Sequence, residues 1–369
     1  MATKQNSSTA DRPPTLAALR REIDQIDRRL VTLLNQRAAL AKQVGELKGQ
    51  NGDAVYAPQR EEEVLAHIGE RSAGPLADES LRTIFRELIS GCRALQKPLR
   101  VAFLGPEYSY SHLAVIHRFG QAVSTAPVGS IAAVFEEVER GHAEFGLVPI
   151  ENSTDGRISD TLEMFAKSPV QICGEAPMRI HHCLLGCGPR SDIRDVYSKP
   201  QALSQCRNWI AKHLPGATIH EVASTSEAAR IARGQPGAAA VASRQAGVNH
   251  QLELLAENIE DNPDNLTRFA VLGSQAAERT GNDKTSLMLE LEHRPGALAD
   301  AMAIFKRKGL NLTWIESFPI PGSQGRYLFF VELLGHQTDI RVRRAVALLE
   351  KKALRLVILG SYARMQPIG

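Results

Sequence analysis

The run "QKPLRVAFLG", Gln96 to Gly105, is where the chain changes character. Pro98 has no amide hydrogen to donate and clashes with the preceding helical turn, so a helix arriving from upstream ends there. "RVAFLG" then reads as a short apolar strand closed by a turn glycine. Helical spacing lies on one side of this run and alternating strands and helices on the other. It therefore divides an all-α region from an α/β region.

Upstream, apolar residues fall at Leu16, Leu19, Ile23, Ile26, Leu30, Leu33, Leu40, Val44 and Leu47, three and four apart with one interruption, Arg37. That is the seam of a single helix over about residues 15–48. At 1.5 Å per residue it is roughly 50 Å long, too long to pack along its whole length against one small bundle, so the spacing predicts a partner chain. Pro58 sits well in the first turn of a second helix, "QREEEVLAHI". A third is expected after Asp78 as cap, with Leu81, Ile84, Phe85, Leu88, Cys92 and Leu95 on one face.

Downstream, "EFGLVPI", "VQICGEA", "RIHHCLLG", "DVYS", "ATIHEVAS", "GAAAVAS" and "RFAVLGS" read as strands, with helices in "SIAAVFEEVERG" and "TSEAARIARG". Residues 99–275 are thus expected to be α/β, with strand-to-helix loops converging on a cleft. After the polar stretch "AERTGNDK", residues 285–369 give strand, helix, strand, strand, helix, strand, the ferredoxin-like order. Residues 15–97 form the helical unit, and residues 1–14 are expected to be a disordered tail.

A chain of 369 residues exceeds what one core usually organises. Its 44 lysines and arginines nearly balance 41 aspartates and glutamates, which removes any whole-chain argument for nucleic acid or membrane binding. Five scattered cysteines, an odd number, argue for a reducing compartment over a disulfide framework. "HHCLLGC" reads as a strand rather than a metal site, since no second ligand pair has zinc spacing. No signal-like segment and no apolar run near ~20 residues is present, so a soluble cytoplasmic protein is expected. "GCGPRS" lacks the third glycine of a nucleotide loop, and no cofactor is expected.

Arg37 interrupts an apolar seam, where an unpaired charge is expensive. Its partner is either an anionic ligand or an ion pair within the bundle; a polar seam residue can also fix register. Lys48 is close to three turns on, on nearly the same face and about 16 Å along the axis. Arg20 lies roughly 100° around and 25 Å away, so it reaches the Arg37 pocket only across a dimer. In "IEDNPDNLTRFAVL", Ile259 to Leu272, the turn formers Asn262, Pro263, Asp264 and Asn265 lead into the buried strand Phe269, Ala270, Val271, Leu272. Thr267 and Arg268 are expected at the mouth of that strand, where loops often carry chemistry, although a threonine there also serves simply to satisfy a turn. Arg268 is either a carboxylate clamp or a structural ion pair, and Phe269 either a ring wall or core. Glu151 and Asn152 follow "GLVPI" as cleft groups or as a polar strand cap. Ser109, Ser111, Ser224 and Thr225 stand at helix starts, as anion donors or as ordinary caps. Gly296 in "PGALAD" suits backbone amides approaching a carboxylate, or an ordinary tight turn.

"LAALRREIDQIDRRLVTLLNQRAALAKQVGELK" with "YAPQREEEVL" resembles the all-helical chorismate mutases fused to prephenate dehydratase. "GPEYSYSHLA", "PIENS", "SKPQALSQC", "STSEAA", "AAVAS" and "NLTRF" resemble successive dehydratase blocks, and "RPGALADAMAIF" with "ESFP" resembles the phenylalanine-binding ACT domain. The resemblance implies an intertwined helical dimer, a two-lobed dehydratase domain like periplasmic binding proteins, and a ferredoxin-like ACT domain. It implies chorismate and prephenate as substrates and phenylalanine as feedback inhibitor. In the mutase pocket it assigns Arg20 to the partner subunit, Arg37, Lys48 and Arg60 as further pocket residues, Glu61 to a substrate hydroxyl and Gln96 to the ether oxygen, although Gln96 by its spacing also fits a solvated helix end. Ala57 and Cys92 stand where the family often has aspartate and serine; Cys92 fits either a pocket role or a small core position. In the dehydratase it points to Glu151, Asn152, Ser198, Gln205, Thr267, Arg268 and Phe269, with Thr267 at the departing hydroxyl. Gln205 also fits a surface position on the helix after Pro200. Tyr108 replaces a common glycine. For the effector it points to Gly296, Ala297, Leu298, Glu316 and Ser317, with Phe318 in place of a frequent arginine. The opposing class is a ligand-sensing regulator with an ACT module and a dimerising helical arm, which has no need of Arg37, Lys48, Glu61 and Thr267 together.

Overall fold

The computed structural model describes residues 15–51, 58–154, 156–320 and 326–368. The expected tail and Ala57 lie outside the described residues. The helical unit is α1 (Leu16–Asn51), α2 (Pro58–Arg71) and α3 (Asp78–Ala94). α3 packs against both α2 and α1. Along α1 the apolar seam stays open within one chain: Leu16, Ile23, Leu30, Leu40 and Leu47 are all exposed. Asp78 is not the cap of α3. Ala77 precedes the helix without a side-chain cap, and Asp78 sits in the first turn, bonded to Arg82 Nε one turn on at 2.7 Å. A carboxylate at that position still favours the helix through its dipole.

The middle region folds as two sheets. The first lobe runs β1 (Arg100–Leu104), α4 (Tyr110–Phe119), β2 (Ser124–Val128), α5 (Ile131–Glu139), β3 (Phe145–Asn152), β4 (Gly156–Arg157), α6 (Ser159–Lys167) and β5 (Gln171–Arg179). The second runs β6 (Cys183–Gly186), β7 (Asp195–Ser198), α7 (Pro200–Gln205), α8 (Arg207–His213), β8 (Thr218–Glu221), α9 (Thr225–Gly234), β9 (Ala238–Ala242), α10 (Arg244–Asn249) and β10 (Glu253–Ala256). The chain then returns as β11 (Leu266–Gly273), inserted antiparallel between β3 and β5, giving the order β2-β1-β3-β11-β5. The second sheet is ordered β10-β6-β9-β7-β8. Two segments therefore cross between the lobes, 180–182 and 257–265. The strand expected through "RIHHCLLG" begins only at Cys183, and His181 and His182 lie in the first crossing. β2, β4 and β10 were not anticipated, because two to five residues show too little of a period.

The last unit is β12 (Asp283–Leu291), α11 (Ala297–Lys308), β13 (Leu312–Pro319), β14 (Tyr327–Leu334), α12 (Ile340–Leu349) and β15 (Ala353–Ala363). All pairings are antiparallel, in the order β13-β14-β12-β15. Strand alternation sends Leu287, Leu289, Val331 and Leu333 to one face, against Ile304, Phe305 and Leu349 of the two helices. Met288, Leu328, Phe330 and Tyr362 go to the other, in one core with Leu162, Phe165 and Ile172 of the first lobe. The last sheet is thus covered by its own helices on one side and by the first lobe on the other.

Candidate active sites

α1, α2 and α3 enclose a cavity of about 310 Å³ lined by Arg37, Leu40, Ala41, Val44, Lys48, Arg60, Glu61, Val64, Ile89, Cys92, Arg93 and Gln96. The helical repeat explains the grouping, since Arg37, Val44 and Lys48 fall on one face of α1. Arg37 Nη1 donates to Cys92 Sγ at 3.3 Å. Gln96 lies over Gly45, where any Cβ would run into it. Arg60 pairs with Glu63 at 2.9 Å and is largely exposed. Arg20 does not line this cavity; it stands near the start of α1, away from Arg37 and Lys48. Arg93 was missed by the sequence reading. It is buried, and it is ion-paired to Glu61. Its only sequence signal is a charge beside the apolar stripe of α3.

The second cavity, about 790 Å³, opens between the two lobes. Thr267, Asn152, Phe269 and Gln205 line it, together with Tyr108, Ser109, Tyr110, Ser111, His182, Lys199, Ser224, Thr225 and Arg230. Thr267 is the second residue of β11, next to the 257–265 crossing, and is paired in register with Asn152 of β3. Asn152 Nδ2 donates to Thr267 Oγ1 at 2.8 Å. That occupies an acceptor site on the hydroxyl and leaves its hydrogen as a donor. The chain of contacts continues outward. Asn265 Nδ2 donates to Gln205 Oε1 at 3.0 Å, and His182 Nε2 meets the same oxygen at 2.9 Å. His182 Nδ1 lies 2.9 Å from the Tyr110 hydroxyl. Burial lowers the His182 pKa, so the ring is neutral. Because Gln205 Oε1 only accepts, Nε2 carries the hydrogen and Nδ1 is left as an acceptor, sharing the single Tyr110 hydroxyl hydrogen with the His181 carbonyl at 2.8 Å.

Arg268, Glu151 and Ser198 are not in this cavity. Successive strand side chains alternate faces, so Arg268 points away from the side that Thr267 and Phe269 share. It joins a buried cluster with Glu151 at 2.9 Å, Glu175 at 3.3 Å and Glu332 of β14, where Lys284 also reaches Glu175 at 3.0 Å and Glu332 at 3.2 Å. Burial alone would lower the Arg268 pKa, yet Glu332, Tyr362 and Glu175 raise it. Ser198 is fully buried and donates to the Val241 carbonyl at 2.5 Å, while its neighbour Lys199 turns into the cavity. Ser109 and Ser224 accept from the amides of His112 and Glu227 at 3.4 and 3.0 Å, so both are helix caps whose helices begin at the cavity. Lys199 and Arg230 were not foreseen as site residues. Tyr108 takes up the left-handed backbone at φ 63° that its glycine counterpart would adopt freely, and its ring stands edge-on to His112.

The expected effector residues line neither cavity. Gly296 has φ 80° at the start of α11, and Leu298 is exposed. Glu316 pairs with Arg157 of the first lobe at 3.1 Å, Ser317 is exposed, and Phe318 is buried in the core shared with that lobe. Among the described residues no group of His, Cys, Asp or Glu has the arrangement of a metal site, and no helix is long and apolar enough to cross a membrane.

Two cavities, one rich in cations between helices and one between α/β lobes, define a protein with two separate candidate active sites. Residues 19–97 match the chorismate mutase type II family and residues 101–277 the prephenate dehydratase family. The chain is 40% identical over 356 residues to the bifunctional chorismate mutase/prephenate dehydratase of Pseudomonas aeruginosa, covering 95% of this chain and 98% of the relative. With the bifunctional enzyme of Aquifex aeolicus it shares 41% over 354 residues, again 95% and 98% of the two chains. The solved prephenate dehydratase of Arthrobacter aurescens in complex with L-Phe matches 73% of this chain and 92% of its own, at 34% identity and a TM-score of 0.67. The chain belongs to the bifunctional chorismate mutase/prephenate dehydratase family. It is an enzyme with both activities, and it serves phenylalanine biosynthesis.

Proposed function

We propose that chorismate rearranges in the helical cavity and that the prephenate formed is dehydrated and decarboxylated between the lobes. The observation that carries the reading is the separate placement of two cavities, one around Arg37 and Lys48 and one around Thr267. Chorismate is a dicarboxylate whose rearrangement builds negative charge on the ether oxygen. Arg37 and Lys48 hold the carboxylates in the reactive conformer, Gln96 donates to the ether oxygen, and Glu61 accepts from the ring hydroxyl. Arg60 and Cys92 complete the wall. Arg20 enters from a second copy, whose α1 covers the exposed seam; a cytoplasmic homodimer follows.

In the second cavity the ring carboxylate leaves as carbon dioxide, its electron pair enters the ring, and the ring hydroxyl departs as hydroxide, which takes up a proton from solvent to give water. Thr267 donates its hydroxyl hydrogen to that departing oxygen. A threonine is far too weak an acid to transfer the proton outright near neutral pH, so it acts as a hydrogen bond in a water-poor site. Lys199, Arg230 and the starts of α4 and α9 receive the substrate carboxylates. Asn152 and Gln205 hold Thr267 and His182 in register, and Phe269 backs the ring.

The last unit, with its βαββαβ order, is an ACT-type ferredoxin-like domain in this reading. Phenylalanine binding near Gly296, Ala297, Leu298, Glu316 and Ser317 lowers dehydratase activity through the shared core. The test is purified protein given chorismate. Loss of chorismate absorbance, followed by phenylpyruvate that diminishes when phenylalanine is added, is the expected result. Binding without turnover would leave a sensor in its place. Mixing Arg20→Ala with Arg37→Ala chains tests the partner's role, because each mixed dimer regains one intact mutase site.

A further inference from the structure

Arg93 belongs to α3 and lines the mutase cavity, yet it is held from outside the helical unit. One end of its guanidinium is ion-paired to Glu61, and the other donates to the carbonyl of Phe119, the last residue of α4. The carbonyls at a helix C-terminus carry partial negative charge, so the cation is satisfied at both ends. Arg93 is only 5% exposed and would be strongly unfavourable there without both partners. The contact around it is built as a seat. Ser90 Oγ accepts from the Ala122 amide at 3.2 Å, and Glu87 Oε2 accepts from the Gln121 amide at 3.1 Å. Gly120 has φ 76°, and a Cβ on it would collide with the Ser90 side chain. The turn after α4 thus receives α3 by backbone amides, a backbone carbonyl and a missing side chain. The same α4 starts at the other cavity, with Ser109, Tyr110 and Ser111.

We propose that Arg93 is a positioning residue of the mutase site, fixing the Glu61 carboxylate, and that the dehydratase lobe supplies the seat that fixes Arg93. The mutase cavity is therefore completed by the neighbouring unit of its own chain. Glu61 meets substrate in the ground state as well as in the transition state, so a misplaced Glu61 shows mainly as a raised KM. The inference rests on the assignment of chorismate to the helical cavity. That assignment is checked separately by turnover in the unaltered chain and its loss in Arg37→Ala.

The experiment uses the full chain with Arg93→Met, Glu61→Gln and both together, measuring chorismate consumption and, in the same preparations, turnover of supplied prephenate. Arg93→Met is expected to raise the chorismate KM on the order of 100-fold, the size of effect a displaced positioning group produces, with prephenate turnover within about twofold of the unaltered chain. Because Arg93 acts through Glu61, the double variant is expected within about threefold of the worse single one. Full mutase activity in Arg93→Met, or losses that multiply in the double variant, would overturn the proposal. Should Arg93→Met fail to fold, seen as loss of both activities and a lowered melting temperature, Arg93→Lys keeps one charged contact but not the two-ended fork. A folded Arg93→Lys chain is expected to show about a tenfold rise in KM; an unchanged KM there would equally overturn it.

Discussion

The helical cavity draws Arg37, Val44 and Lys48 from one long helix whose apolar seam is bare in a single chain, whereas the cavity between the lobes collects Thr267, Asn152, Gln205 and His182 from two strands, a helix end and a crossing of one region. In the proposed reading the first needs neighbours to be finished: a second copy to cover the seam and, through Arg93, the adjoining lobe. The second is complete within its own lobes and is tied by a continuous run of side-chain hydrogen bonds. The difference fits the chemistry. A rearrangement without nucleophile or proton transfer needs fixed charge around a dianion, while loss of a hydroxyl needs one aimed donor backed by a rigid network.

The sharpest way to break this comparison is Arg37→Ala. It should lower mutase kcat/KM by roughly 10³-fold while prephenate turnover is unchanged, the loss expected for a buried charge contact. Parallel loss of both activities in a folded chain would collapse two sites into one. Thr267→Val keeps the shape and removes the donor, and should reduce dehydratase kcat about 10²-fold with the mutase untouched. Rates on supplied prephenate measure it directly.

His182→Leu strips Gln205 and Tyr110 of a partner and should lower stability by about 1–3 kcal/mol, read by denaturant titration. Burial depresses the His182 pKa below the ordinary histidine value of about 6.5. The stabilisation from holding it neutral is therefore full above that value and is lost as pH falls toward the depressed native one. The acid slope of stability should be shallower in the variant; an identical slope would remove His182 from the network's role. The smallest effect is Tyr108→Gly. Relief of a left-handed side-chain conformation is offset by the lost ring contacts and by glycine's greater backbone freedom in the unfolded chain, so the melting temperature should move by the equivalent of less than about 1 kcal/mol.

The two regions were unequally legible. Arg37 announces itself by breaking a run of leucines, and the period of 3.6 then puts Lys48 beside it without further information. Arg93 could not be read in this way, because its partners are a carboxylate on another helix and a carbonyl from another unit. Thr267 and Arg268 are adjacent in a strand and so face opposite sides, which by itself separates the cavity residue from the one in the ion cluster. The same alternation parts Asn152 from Glu151. Ser198 and Lys199 show the limit of motif reading. The serine at the end of β7 turns inward to the Val241 carbonyl, and the lysine after it lines the cavity.

The order of the amino acids determined what is local: a long helix with a charged break in its seam, the end of helix at Pro98, the alternating middle region, the strand and helix order of the last unit, and the family blocks along the chain. Only the tertiary structure decided which residues meet. Side chains more than a hundred positions apart, such as Asn152 and Thr267 or Glu151 and Arg268, are joined by strand register between non-consecutive strands. Register of that kind is set by the summed packing of both sheet faces, which no local period encodes.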